Sequence, residues 1–259
     1  MKICRFEQNN GNHFGLIKDE LVFPIDSFQD LLKTNPEELS DPYRLSEVRV
    51  LQPVEPSKIV CVGRNYSEHA AELGHEVPRE PLLFLKAPSA IILDNEPIFL
   101  PNQSAQVEHE GELGVVIGQN CKDLTNSDDP LEYVLGYICL NDVTARDLQR
   151  NDVQFTRAKS FDTFCPMSRF IETDLDVSDI RVTTRVNGVT KQDAKTSQMV
   201  FPVPFLIRYI SNQMTLNAGN IIATGTPAGV SKLSDGDVCE VEIEGIGTLR
   251  NPVKTTEKL

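Results

Sequence analysis

Apolar positions along the chain fall in short runs separated by turn residues, a pattern of strands rather than of long helices. Residues 2–7, 13–18 and 20–25 read as three strands, with Asn9-Asn10-Gly11-Asn12 and Asp19-Glu20 as the turns between them. Ser27 is placed to cap a short helix over Phe28–Lys33, and Pro36, Pro42, Pro53 and Pro56 then punctuate a polar connector. Beyond it, Lys58–Gly63, Glu112–Ile117 and Val134–Leu140 are short apolar strands. Arg181–Val186 alternates and is followed by Asn187-Gly188, a pair that tolerates the positive φ angles of a two-residue hairpin turn. Asp237–Glu244 also alternates: Cys239, Val241 and Ile243 share one face, and Glu240, Glu242 and Glu244 share the solvated one. Helices are short. Ser67–Leu73 carries Ser67 as a cap and Gly74 at its end, and Pro204–Ile210 has a proline in its first turn. These elements predict an α+β fold, mostly β, with a small β-rich domain over residues 1–55 and the main domain over 56–259.

The length of 259 residues fits one large domain with an appendage. An apolar share of 40% excludes a disordered chain. Thirty-eight acids against 25 Lys and Arg give a net charge of −13, which argues against nucleic acid as a partner, because phosphate binding needs an excess of cations. The longest apolar runs are too short to span a bilayer, and Met1–Arg5 begins no secretory h-region. The six cysteines stand at 4, 61, 121, 139, 165 and 239, with no CxxC pair. A reduced cytoplasmic chain with buried thiols is the simplest reading.

Four segments hold candidate chemistry. In His109-Glu110-Gly111-Glu112, the two glutamates stand two apart, so a strand would turn both to one side. The apolar flank Leu113–Ile117 draws that strand into the core, where neighbouring carboxylates repel unless a cation or proton joins them. An isolated Glu-x-Glu step is more often a solvated edge. A third acid strengthens the metal reading: Val134–Leu140 ends in Asn141-Asp142, which places Asp142 at a strand end. Three carboxylates without cysteine make an all-oxygen site suited to Mg²⁺ or Mn²⁺. His109 stays outside the set of direct ligands. On a helix, His69 and Glu72 share a face at i, i+3, either as a surface pair or as a general base with its orienting carboxylate. Arg146, Gln149 and Lys159 are possible donors to an oxyanion, and Ala223–Gly229 is a Gly- and Pro-bounded turn able to present backbone N–H groups to an anion.

Five motifs in order, VGRNYSEHAAE, HEGELGVVIG, NDVTARDLQ, RAKSFDTFCP and IIATGTPAGV, make the chain resemble the fumarylacetoacetate hydrolase family from about Lys58 to Pro252. The likeness is nearest to its shorter members: acylpyruvases, oxaloacetate decarboxylases and the isomerases of homoprotocatechuate breakdown. The resemblance implies layered, rolled mixed β-sheets with short helices, and a homodimer. It implies Mg²⁺ or Mn²⁺ on Glu110, Glu112 and Asp142, a His69–Glu72 dyad on a short helix that is a lid in some members, and substrate contacts from Arg64, Gln149, Lys159 and Thr226. The larger enzymes add an aspartate ligand seven residues before the catalytic histidine, where this chain has Val62. A three-carboxylate site is therefore expected, and fumarylacetoacetate is not the expected substrate.

The function this implies is metal-dependent cleavage of a C–C bond in a small 2-oxo or 1,3-dioxo acid, by acylpyruvate hydrolysis or oxaloacetate decarboxylation through a metal-bound enolate. In the hydrolytic form, His69 activates water, and Lys159 and Gln149 stabilise the oxyanion. The alternatives are a 2-hydroxy-diene-dioate isomerase or decarboxylase and a non-catalytic protein that binds an oxo acid or a metal. The absence of G-x-S-x-G argues against a serine hydrolase.

Overall fold

The computed structural model describes residues 1–9, 11–25, 27–32, 39 and 41–256. At its centre, Gly111–Ile117 lies between Val134–Asn141 and Ile221–Ala223 and runs antiparallel to both. Ile221–Ala223 is parallel to Ile59–Gly63, which pairs antiparallel with Leu82–Lys86. Every residue of Gly111–Ile117 is buried. Leu113, Val115 and Ile117 join an apolar cluster with Val60, Val62 and Ile222, and Val116 joins another with Ile59, Cys61 and Ile221. Strands covered on both faces need apolar residues at odd and even positions alike, so they read as continuous runs.

The N-terminal strands Lys2–Gln8, Gly11–Lys18 and Leu21–Ile25 form an antiparallel meander. It continues the central sheet, because Ile3 pairs with Ile171 and Tyr137 pairs with Glu172. Asp19 and Glu20 have φ angles of 50° and 63°, which matches the predicted tight turn. Asn10 of the other predicted turn lies outside the described residues, as do Lys33 and Pro36. The helix expected over Phe28–Lys33 is a 3-10 turn over Phe28–Leu32.

A second sheet has the order Val189–Lys195, Arg181–Val186, Val238–Ile243, Gly247–Thr255 and Ile98–Leu100. Its hairpin turns on Asn187 and Gly188, at φ 53° and 76°. In Val238–Ile243, Cys239, Val241 and Ile243 are buried, while Glu240 and Glu242 face Arg250 and Arg185 on the polar side. Leu206, Ile207 and Ile210 of helix Val203–Ser211 are fully buried with Val241 and Ile243 against the central sheet.

The other site-bearing helix spans Ser67–Glu72. Ser67 is its first helical residue rather than its cap; Tyr66 holds the cap position and makes no side-chain capping bond. Gly74 takes φ 71° just past the end, where a left-handed residue closes the helix. Among the described residues no helix is long and apolar enough to cross a membrane. All six cysteines are free and buried.

Candidate active site

The antiparallel pairing of two central strands assembles the acidic cluster. Gly111 faces Asn141, Glu112 faces Leu140, and the Asp142 N–H donates to the Glu110 carbonyl at 2.8 Å. Glu110 and Asp142 thus face each other one residue beyond the paired ends of the two strands, and Glu112 stands one pleat further along the same side. One oxygen from each of Glu110, Glu112 and Asp142 lies within 4.8 Å of the others, and all three residues are buried. Gly111, between the glutamates, permits a close approach: a Cβ there would meet Thr184 Oγ1 at 2.0 Å.

Cations surround two of the three acids. Lys159 Nζ donates to Glu110 Oε2 at 2.7 Å and to Asp142 Oδ2 at 2.6 Å. Arg146 Nη2 bonds Glu110, and its Nε donates to Glu108 at 2.7 Å. Burial pushes the Glu110 carboxyl up, but Lys159 and Arg146 outweigh it and hold it well below the usual carboxylate range. Burial likewise works against the Lys159 ammonium, and Asp142 and Glu110 outweigh it, so this lysine stays charged. Lys86, which the sequence analysis did not single out, is buried behind Asp142 and donates to its Oδ1 at 2.6 Å and to the Val143 carbonyl at 3.2 Å.

Glu112 differs. It accepts the Gly225 N–H at 2.8 Å and forms no ion pair among the described residues. Burial, then the charges of Asp142 and Glu110, push its carboxyl well above the usual range. A buried carboxylate held up by two acidic neighbours is relieved by a cation shared among the three. The donor set is all oxygen and lacks thiolate or imidazole, so these residues fit a hard divalent ion such as Mg²⁺ or Mn²⁺.

Glu110, Glu112 and Asp142 line a cavity of about 260 Å³ together with His69, Arg64, Gln149, Lys159 and Thr226. Glu72, more exposed and outside that lining, has its Oε2 3.4 Å from His69 Nδ1. A carboxylate only accepts, so the His69 proton resides on Nδ1 and Nε2 is left basic. Burial first, and the Arg146 charge after it, lower the His69 pKa below 6.5 against the opposing pull of Glu110 and Glu72. The imidazole is therefore neutral at neutral pH.

The turn after Ile221–Ala223 organises both carboxylate groups. Its Gly225 N–H serves Glu112, and its Gly229 N–H reaches both Glu72 oxygens at 3.1 Å. Gly229 has φ 100°, and a Cβ there would meet the Lys191 carbonyl at 2.0 Å, so glycine is required. The anions these N–H groups receive are the protein's own side chains. Thr226 Oγ1 donates to the Gly111 carbonyl at 2.9 Å and accepts from Gln192 Nε2 at 2.7 Å, which commits its proton to the fold. Arg146 Nη1 donates to Gln149 Oε1 at 2.5 Å; pinning that end leaves the Gln149 amide hydrogens for a ligand.

His109 is a structural histidine. Gln192 Oε1 accepts the Gly111 N–H and lies 3.2 Å from His109 Nδ1, while Ser231 Oγ lies 2.9 Å from Nε2. Gln192 Nε2 donates elsewhere, so Nδ1 carries the proton and Nε2 accepts from Ser231. Burial drives the His109 pKa from 6.5 to about 4. The unfolded chain then binds the extra proton between those values, so stability is lost as pH falls through this window. His109→Gln should flatten the pH dependence of unfolding free energy from pH 6.5 to 4 by up to about 3 kcal/mol. Urea titrations at a series of pH values check this, and an unchanged slope would refute the assignment.

Comparison with known proteins matches residues 58–254 to the family model described as "Fumarylacetoacetate (FAA) hydrolase C-terminal", and residues 1–53 to one described as "Rv2993c-like, N-terminal". The mitochondrial oxaloacetate decarboxylase of Dictyostelium discoideum is 44% identical over 198 residues, covering 74% of this chain and 90% of that protein. The structure of 5-carboxymethyl-2-hydroxymuconate delta-isomerase from Mycobacterium smegmatis superposes with a TM-score of 0.88 at 40% identity, covering 99% of this chain and 100% of that one. The maleylpyruvate hydrolase of Sphingobium sp. SYK-6, solved with manganese(II) and pyruvate, gives 0.81 at 28% identity with the same coverage.

Proposed function

We propose that the chain, which belongs to the fumarylacetoacetate hydrolase family, breaks a carbon–carbon bond next to a carbonyl in a small 2-oxo or 1,3-dioxo acid, with Mg²⁺ or Mn²⁺ held by Glu110, Glu112 and Asp142. The observation that carries this reading is one cavity lined by three buried carboxylates and a neutral, carboxylate-oriented histidine. When bound, the divalent ion supplies a Lewis acid that draws electron density from the carboxylate and ketone oxygens of a 2-oxo acid. In hydrolysis of an acylpyruvate, His69 Nε2 takes a proton from water, and Glu72 steadies the resulting imidazolium. The water oxygen bonds to the distal carbonyl carbon, and the Lys159 ammonium and Gln149 amide stabilise the oxyanion. That carbon then parts from the methylene carbon, which keeps the bonding electron pair and is protonated to give pyruvate. Decarboxylation of oxaloacetate breaks the equivalent bond with loss of CO₂ and uses no attacking water.

The test is pyruvate release from EDTA-stripped protein, with acetylpyruvate and oxaloacetate, before and after adding Mg²⁺ or Mn²⁺. Release from at least one substrate that returns with the metal is expected. No release from either, with either metal, would overturn the reading and favour isomerisation of an unsaturated 2-hydroxy acid, the class to which the mycobacterial neighbour's name points.

A further inference from the structure

Gln192 is not among the residues that line the cavity, but its fully buried side chain joins two elements that are. A glutamine amide has four hydrogen-bonding positions, and here all four are used. Oε1 accepts the Gly111 N–H at 3.0 Å and lies 3.2 Å from His109 Nδ1. Nε2 donates to Thr226 Oγ1 and to the Pro227 carbonyl, both at 2.7 Å. The acceptor end thus holds the backbone between Glu110 and Glu112. The donor end holds the turn whose Gly225 N–H serves Glu112 and whose Gly229 N–H serves Glu72. None of the four partners is near in sequence: the closest, Thr226, is 34 residues away.

The backbone aims this side chain. In Val189–Lys195, Thr184 pairs with Gln192 and Arg185 pairs with Thr190, which leaves Lys191 as an extra residue in a bulge. A bulge turns the side chains beside it, and bulges concentrate next to active sites. The two elements that Gln192 joins also seat directly on this bulged segment. A Cβ at Gly229 would meet the Lys191 carbonyl at 2.0 Å and the Gln192 Cα at 3.4 Å. A Cβ at Gly111 would meet Thr184 Oγ1 at 2.0 Å and Gln192 Oε1 at 3.4 Å. Glycine at both places lets the second sheet approach the strand of acids and the turn at once.

We propose that Gln192 is a positioning residue that sets the relation between the two halves of the site. It fixes the strand bearing Glu110 and Glu112 against the turn that holds Glu72 and, through Glu72, the His69 imidazole. This rests on the proposed function for the roles of the acids as ligands and of His69 as base. It goes beyond that reading by assigning the alignment of metal and base to one residue of the second sheet, outside the cavity. A fully satisfied buried amide makes its surroundings rigid, and its removal leaves each partner unpaired. Loss of the amide therefore loosens the strand and the turn together.

The experiment compares Gln192→Met, which keeps the length of the side chain and deletes its polar atoms, with Asn220→Leu. Asn220 is an equally buried amide bonded to Ser57 and Lys58 at the end of Ile221–Ala223 opposite the turn, so it controls for lost stability alone. Two readouts need no turnover: Mn²⁺ affinity by calorimetry, and the His69 tautomer in metal-free protein at about pH 8 by nitrogen NMR of its ring, assigned with His69→Ala. Gln192→Met should weaken Mn²⁺ binding by about tenfold to a hundredfold, the range for a residue that supports a ligand. It should also move His69 from the Nδ1–H form toward the Nε2–H form, because a displaced Glu72 no longer accepts the Nδ1 proton. Asn220→Leu should lower the thermal midpoint and leave both readouts in place. A change in neither readout, a change in only one, or an equal change in Asn220→Leu would overturn the inference. Should Gln192→Met yield no folded protein, Thr226→Val carries the same test with both readouts expected to move in the same directions, because it deletes one of the two bonds to the turn. The histidine readout requires neither bound metal nor product, so failure here and failure of the proposed function remain separate outcomes.

Discussion

Replacing Glu112 with glutamine is expected to abolish metal-dependent turnover while making the metal-free protein more stable. The two effects share one cause. Glu112 is a buried carboxylate with Glu110 and Asp142 beside it and, among the described residues, no ion pair of its own. Its folded-state pKa is raised above the ordinary 4.5. The fold therefore disfavours its ionised form, a penalty absent below about pH 4.5 that grows as pH rises. Glutamine keeps an oxygen to accept the Gly225 N–H and deletes the charge. In EDTA, the thermal midpoint of Glu112→Gln should exceed that of wild type at pH 7, and the difference should shrink toward pH 4.5. In the presence of Mn²⁺ the order should reverse, since wild type gains ligand stabilisation and the variant loses it. A ligand carboxylate should matter more than an outer-shell partner, so Mn²⁺ affinity should fall by at least about a hundredfold. Retained affinity would remove Glu112 from the metal site, and a lower midpoint in EDTA would refute the electrostatic account of its strain.

The acidic cluster was legible in the sequence because it depends on two local signals. Glu110 immediately precedes an apolar strand and Glu112 lies two residues on within it, and Asp142 directly follows the neighbouring apolar run. Antiparallel pairing of those runs suffices to bring the three together. The His69–Glu72 pair was legible for the same reason, both residues lying on one turn of helix. What the sequence hid depends on register and long-range closure. Lys86 ends the apolar strand Leu82–Lys86, and nothing in that strand announces a partner 56 residues away. A lysine closing an apolar run was the available signal. Gln192 orients both His109 and Gly111, yet it lies in Val189–Lys195, where it is the one fully buried position of a polar edge strand. Such a strand shows no clean alternation, because most of its side chains meet solvent.

Arg146 shows a different limit. Residue type alone made it a candidate donor to substrate, whereas the fold uses its guanidinium on Glu108, Glu110 and Gln149. The turn over Ala223–Gly229, able on its sequence to offer N–H groups to an anion, directs them to the carboxylates of Glu112 and Glu72. Chemistry-bearing residues can thus be picked from a sequence, while the division between those that meet the substrate and those that hold their neighbours follows from the three-dimensional network.

Loss of the His69 imidazole should separate the two reactions proposed for the cavity. His69→Ala removes the proposed base for the water proton, so acetylpyruvate hydrolysis should fall by about a hundredfold to ten-thousandfold. Oxaloacetate decarboxylation needs no water attack, so it should fall far less. Mn²⁺ affinity should hold, because His69 lies outside the three-carboxylate set. The pH profile supplies a second readout. Burial lowers the His69 pKa below 6.5, so the basic form persists above that lowered value and hydrolysis should decline only as pH falls through it. His69→Ala should lose this acid limb along with the rate. Glu72→Gln should show an intermediate loss of hydrolysis, because the glutamine carbonyl still accepts from Nδ1 but carries no charge to steady the imidazolium. An equal fall in both reactions would mean that His69 binds substrate rather than activating water, and an unchanged hydrolysis rate would remove the dyad from the mechanism altogether.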